Sequence, residues 1–90
     1  MPNHKSAKKR VRQTEKRRLR NRAVMATTRT FIKQARAAID SGNAESVREA
    51  LPRAIKAIDS AASKGVMHRN QAARKISRLT LAANKVTAEA

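Results

Sequence analysis

An all-α fold, an antiparallel three-helix bundle with a long, highly basic first helix projecting from it, is predicted by three observations. From Ala7 to Asp40 the chain has neither glycine nor proline, and it is rich there in Ala, Lys, Arg, Gln and Glu, all good helix formers. The two glycines, Gly42 and Gly65, divide the sequence into three segments, each with apolar residues spaced three and four apart. No stretch shows the β-branched alternation of a strand. Joints this short make successive helices antiparallel neighbours.

The first helix is expected over residues 7–40. Before it, residues 1–6 form a flexible basic tip that contains Pro2 and Asn3, and Ser6 is placed to cap the helix. The two halves of the helix differ. At about 100° per residue, Val24, Thr28, Phe31, Ala35 and Ala38 share a face, with Ile32 and Ile39 at its edge, while Arg22, Arg29, Lys33 and Arg36 lie opposite. This half should pack. Before Arg22 the apolar residues are only Ala7, Val11 and Leu19, and cations occupy every face, so that half should project into solvent.

Ser41-Gly42-Asn43 ends the first helix, with Gly42 suited to the left-handed conformation and Asn43 to capping a second helix over 44–63. There Val47, Leu51, Ala54, Ile55, Ile58 and Ala62 form one stripe, and residues 43–63 hold three bases against three acids. The second helix is therefore expected to be a neutral strut rather than a binding face. Pro52 lies inside it and removes the donor to the Arg48 carbonyl, so a kink is expected, with a break into two short helices as the rival. Lys64-Gly65 closes the helix, and Val66 and Met67 are placed to seal the corner. His68 or Asn70 then caps a third helix over 69–87, with Ala72, Ile76, Leu79, Thr80, Ala83 and Val86 inside, Arg74, Arg78 and Lys85 almost opposite, and Lys75 on the flank. Residues 7–90 make a single domain, and 90 residues leave room for no second one.

Charge dominates the functional reading. The chain carries 22 Lys and Arg against six Asp and Glu, a formal charge of +16 that repels itself and attracts a polyanion. Ten of those cations (Lys5, Lys8, Lys9, Arg10, Arg12, Lys16, Arg17, Arg18, Arg20 and Arg22) fall in 5–22 against the single acid Glu15. Desolvating unpaired cations costs several kcal/mol each, so this segment stays in water or meets dense negative charge. Its helix-forming composition and its unbroken run into the packed half separate it from a disordered tail, and point to nucleic-acid phosphates. Cation-only exteriors on the first and third helices, flanking a neutral middle one, would let the bundle clamp two nucleic-acid segments. Because Phe31 is the only aromatic, base stacking on aromatic platforms is excluded as the recognition mode.

Other classes fit poorly. His4 and His68 are far apart, no Cys exists, and the acids are singletons, so neither a catalytic centre nor a metal site is expected; the chain is read as no enzyme, with no cofactor and no small-molecule substrate. Neither a Walker loop nor GxGxxG occurs. No apolar run approaches the roughly 18 residues of a membrane span, and the arm has only Val11 and Leu19 to insert in a lipid surface, so no membrane association is expected and a soluble intracellular protein is. A basic leucine zipper fails because Gly42 stops the helix less than three heptads after Arg22. The alternative kept open is a nucleoid-type basic helical protein that binds DNA.

Three stretches, KSAKKR at Lys5 to Arg10, RTFIK at Arg29 to Lys33 and AASKGVMHRNQAARKISRL at Ala61 to Leu79, resemble the bacterial small-subunit ribosomal protein number twenty family. The resemblance covers nearly the whole chain in order and spacing. It implies a cytoplasmic protein of the ribosome: a monomer with few protein contacts, bound directly to small-subunit (16S) ribosomal RNA and helping its early assembly. The RNA regions implied are the 5′ domain and the long penultimate helix of the 3′ minor domain. By matching position, Lys5, Ser6, Lys8, Lys9 and Arg10 would belong to an RNA-bound arm, and Lys64, His68, Arg69, Asn70, Arg74 and Arg78 to a second contact surface. His4, where an aliphatic residue is common, and Pro52 depart from the family pattern.

Overall fold

A computed structural model describes residues 4–89, and within them three helices and no strand: α1 (His4–Ser41), α2 (Ala44–Ser63) and α3 (Arg69–Glu89). The all-helical bundle with a long first helix is thus the observed architecture. The 38 residues of α1 span about 57 Å at 1.5 Å each, and the molecule measures 68 × 20 × 14 Å. Its radius of gyration is 18.0 Å, against about 12 Å for a globular chain of this length. The excess is the half of α1 that nothing covers.

Three details refine the sequence reading. The helix begins at His4, so Ser6 stands in its first turn and not ahead of it; of the expected tip, residues 1–3 lie outside the described residues, as do the side chains of Lys5 and Ser6. The second helix runs unbroken through the exposed Pro52, so the rival reading of two short helices is not what forms; water on the wet side of the helix can serve the Arg48 carbonyl. The third helix continues two residues past Thr87.

The joints hold the helices in place by local hydrogen bonding. Gly42 takes φ 72° and donates to the Ile39 carbonyl at 3.1 Å, and the Asn43 side chain then accepts from the amides of Glu45 (3.0 Å) and Ser46 (3.4 Å). Gly65 takes φ 75°, and the amides after it turn back on α2, Val66 bonding Ala61 at 3.0 Å and Met67 the same carbonyl at 3.2 Å. Orphan carbonyls at the end of α2 are thereby satisfied. Glu45 in the first turn of α2 also favours the positive end of the helix dipole.

Packing is by small residues. The buried apolar set is Ile32, Ala35, Val47, Ala54, Ile58, Ala61, Met67, Ala72, Leu79 and Ala83, half of it alanine. Alanines let helix axes approach closely but bury little area each, so a chain this short has a thin hydrophobic margin. Thr28 is 2% exposed and avoids an unsatisfied hydroxyl by donating to the Val24 carbonyl at 2.8 Å. The middle helix packs on both others, whereas α1 and α3 touch less. That arrangement turns the buried strip of α1 towards Thr28, Ile32 and Ala35, leaving Val24, Phe31, Ala38 and Ile39 half-buried on its margins. On α2 the strip likewise includes Ala61 and leaves Leu51, Ile55 and Ala62 partly open.

Candidate nucleic-acid interface

Every residue of α1 from Ala7 to Ala23 is exposed, about 26 Å of rod that the other helices leave open to solvent. Lys8, Lys9, Arg10, Arg12, Lys16, Arg17, Arg18, Arg20 and Arg22 ring it, and its two larger apolar side chains, Val11 and Leu19, are 58% and 60% exposed. No second helix could cover this segment without burying cations, so sequence and packing agree on its isolation. At the junction with the bundle, Thr27 and Thr30 donate to the Ala23 and Ala26 carbonyls at 3.0 Å each, as Thr28 does to Val24. These hydroxyls bond within the helix, and α1 passes through the junction without a break.

Arg29 and Lys33 continue the line of cations along the exposed side of α1. Arg36 turns towards α3, where it lines a groove of about 240 Å³ with Lys75, Arg78 and the acid Asp40, over a floor that includes Ile32, Ile39 and Leu79. The basic sides of α1 and α3 therefore meet at this groove and do not form two wholly separate surfaces. Lys75 is half-buried there, as expected of a lysine whose aliphatic stem covers apolar floor while its ammonium reaches water. Arg74 and Lys85 are exposed on the same helix, and with them Leu81 at 63% exposure, an apolar residue that the sequence reading left unassigned.

The corner between α2 and α3 gathers Lys64, His68, Arg69 and Asn70, all exposed. Lys64 is the C-cap of α2, its amide bonding the Ser60 carbonyl and the Gly65 amide after it the Ala62 carbonyl, each at 3.0 Å. His68, and not Asn70, caps α3: its ring Nδ1 accepts the Asn70 amide at 3.1 Å, and its carbonyl accepts from Ala72 at 3.0 Å. With Nδ1 an acceptor, the neutral ring carries its proton on Nε2, which is left as a donor. A helix N-terminus with free amides, flanked by Arg69 and Lys64, favours an anion.

The charges of α2 sum to neutral, as expected, but they are not evenly placed around the helix. Arg53, Lys56 and the C-cap Lys64 recur at helical spacing and line a groove against α1, whereas none of the acids Glu45, Glu49 and Asp59 lines it. The sequence reading gave Arg53 and Lys56 no place among the candidate contact residues. The signal was present in the spacing 53, 56, 60, 64, which stays within about 80° on a helical wheel, but counting charges over the whole segment averaged it away. Among the described residues no His, Cys, Asp and Glu group could hold a metal ion, and no helix is long and apolar enough to cross a membrane.

A small α-helical bundle with a bare polycationic rod defines a class, the basic helical proteins whose charge is matched by a polyanion. The chain belongs within that class to the ribosomal protein S20 family, whose model matches residues 2–84. It is 54% identical over 87 residues to the small ribosomal subunit protein bS20 of Geotalea daltonii, covering 97% of this chain and all of that one. The bS20 proteins of Geobacter sulfurreducens and Natranaerobius thermophilus are 51% and 52% identical, over 93% and 96% of this chain and 97% and 98% of theirs. The family is one of structural ribosomal proteins, not of enzymes, and the resemblance read from KSAKKR, RTFIK and the Ala61–Leu79 stretch is confirmed.

Proposed function

We propose that this protein is a structural constituent of the small ribosomal subunit that binds 16S ribosomal RNA directly, through backbone phosphates, and helps the subunit assemble early. The observation that carries the reading is the uncovered cationic stretch of α1 before Ala23, which finds its natural counter-charge in stacked phosphates. The relatives are small-subunit proteins by name, and their likeness spans the arm as well as the bundle.

In this reading the arm, with Lys5 to Arg22, lies along one RNA segment. Lys64, His68, Arg69, Asn70, Arg74, Lys75, Arg78 and Lys85, joined through Arg36 to Arg29 and Lys33, meet another. The 5′ domain and the long penultimate helix of the 3′ minor domain are the two regions assigned to them. Cations where the segments converge lower the phosphate repulsion that holds them apart. Because the major groove of A-form RNA is too narrow for side chains, contact is led by shape and backbone. Co-sedimentation with small subunits through a moderate salt wash tests the assignment, followed by filter binding to the two isolated RNA regions. Loss from the subunit in the wash together with no preference for those regions over unrelated RNA would refute it.

A further inference from the structure

Where the bare arm enters the bundle, α1 and α2 leave an open groove of about 690 Å³, well within the range of ligand sites. Its floor is apolar, with Val24, half-buried Phe31 and Ala57, and its α2 side carries Arg53, Lys56 and Lys64. No side chain of the bundle fills it. Three cations on one wall and no acid in the lining call for an anionic occupant. An apolar floor calls for a flat or aliphatic group attached to that anion.

Position selects among anionic occupants. The α1 side of the groove begins at Ala23, one residue after the last cation of the arm, so a strand lying along the arm runs into the groove without changing direction. Its Thr27 hydroxyl donates to the Ala23 carbonyl and keeps acceptor capacity facing the lining. The one aromatic of the chain, excluded above as a general recognition device, stands here with a face of the groove beside it. We infer that the α1/α2 groove is a subsite for an unpaired nucleotide of the bound RNA, its base against Phe31 and Val24 and its phosphates held by Arg53 and Lys56. This deepens the RNA-binding reading and rests on it. It also gives α2 a part in recognition that its neutral total charge conceals.

The test uses the full chain and two RNA hairpins that differ by one bulged adenosine. At matched salt the bulged hairpin should bind at least about fivefold more tightly than the paired one, the lower end of what a base stacked on an aromatic contributes. Phe31→Leu, which keeps an aliphatic of similar packing, should remove that preference and leave the paired hairpin's affinity within about twofold. Arg53→Gln with Lys56→Gln should weaken the bulged hairpin more than the paired one. Circular dichroism of each variant checks that its helices persist, and Val24→Ala, which leaves the ring in place, gives a second probe of the same floor, expected to reduce the preference. Equal binding of the two hairpins by the unaltered chain overturns the subsite while leaving RNA binding intact. Failure of both hairpins to bind overturns the underlying reading instead. Capture of an acidic amphipathic peptide, or self-association, that Phe31→Leu abolishes while bulge preference is absent would assign the groove to a protein and refute the proposal.

Discussion

The ring Nδ1 of His68 accepts the backbone amide of Asn70 at 3.1 Å, so the residue that begins the third helix does so with an imidazole where an Asn, Asp or Ser would be usual. The same geometry leaves Nε2 free to donate from an exposed side chain. One side chain can thus finish the helix inwardly and offer a hydrogen bond outwardly.

Replacement of His68 separates those two roles. His68→Ala should cost about 1 kcal/mol of stability, a fall of about 4–8 °C in Tm for a domain of this size, whereas His68→Asn should restore most of it. Thermal melts followed by circular dichroism read the first role. RNA affinity of His68→Asn reads the second, and it should stay below that of the unaltered chain, because the shorter amide does not reach as far.

Gly65 offers a backbone prediction free of packing. A Cβ built there meets nothing within 4 Å, so the φ of 75° is the whole penalty. Gly65→Ala should destabilise the fold by about 1–2 kcal/mol through the left-handed conformation alone. Urea unfolding with an unchanged m-value checks it; no loss would mean that the corner rearranges.

Salt dependence measures the phosphates engaged. If the arm and the corner together neutralise about six to ten of them, affinity for ribosomal RNA should fall by roughly 10³ to 10⁵ between 50 and 200 mM salt. Filter binding across that range suffices, and a slope near zero would exclude backbone-led recognition.

Charge reversal on α3 locates the second surface. Arg78→Glu should weaken RNA binding far more than Arg48→Glu, the same change of charge at an exposed arginine that lines neither the α1/α2 nor the α1/α3 groove. Binding at fixed salt compares them, with helicity as the control. Similar losses would indicate a general charge effect and no defined surface.

Much of this molecule was legible before any coordinates. The helix stops at Gly42 and Gly65 follow from local chemistry, since only glycine takes positive φ cheaply and Asn43 accepts amides from its own side chain. The isolation of the arm follows from its charge, because ten cations between Lys5 and Arg22 forbid burial. Of the two outcomes that Pro52 allowed, a kink or a break, the break does not occur, because the helix runs on through an exposed proline whose missing donor water can replace. Charge counting did not show that Arg53 and Lys56 share a groove, because a sum over a helix discards its faces.

Sequence by itself determined the number of helices, their polarity and the excess of cations, all properties of residues and their near neighbours along the chain. Tertiary structure alone decided that the buried strip of α1 centres on Thr28, Ile32 and Ala35, that Arg36 meets Lys75 and Arg78 across one groove, and that Phe31 and Lys56 share another. Those outcomes depend on how far each helix rotates about its own axis. That angle is set by alanine contacts between helices distant in sequence, which periodicity along one helix does not encode.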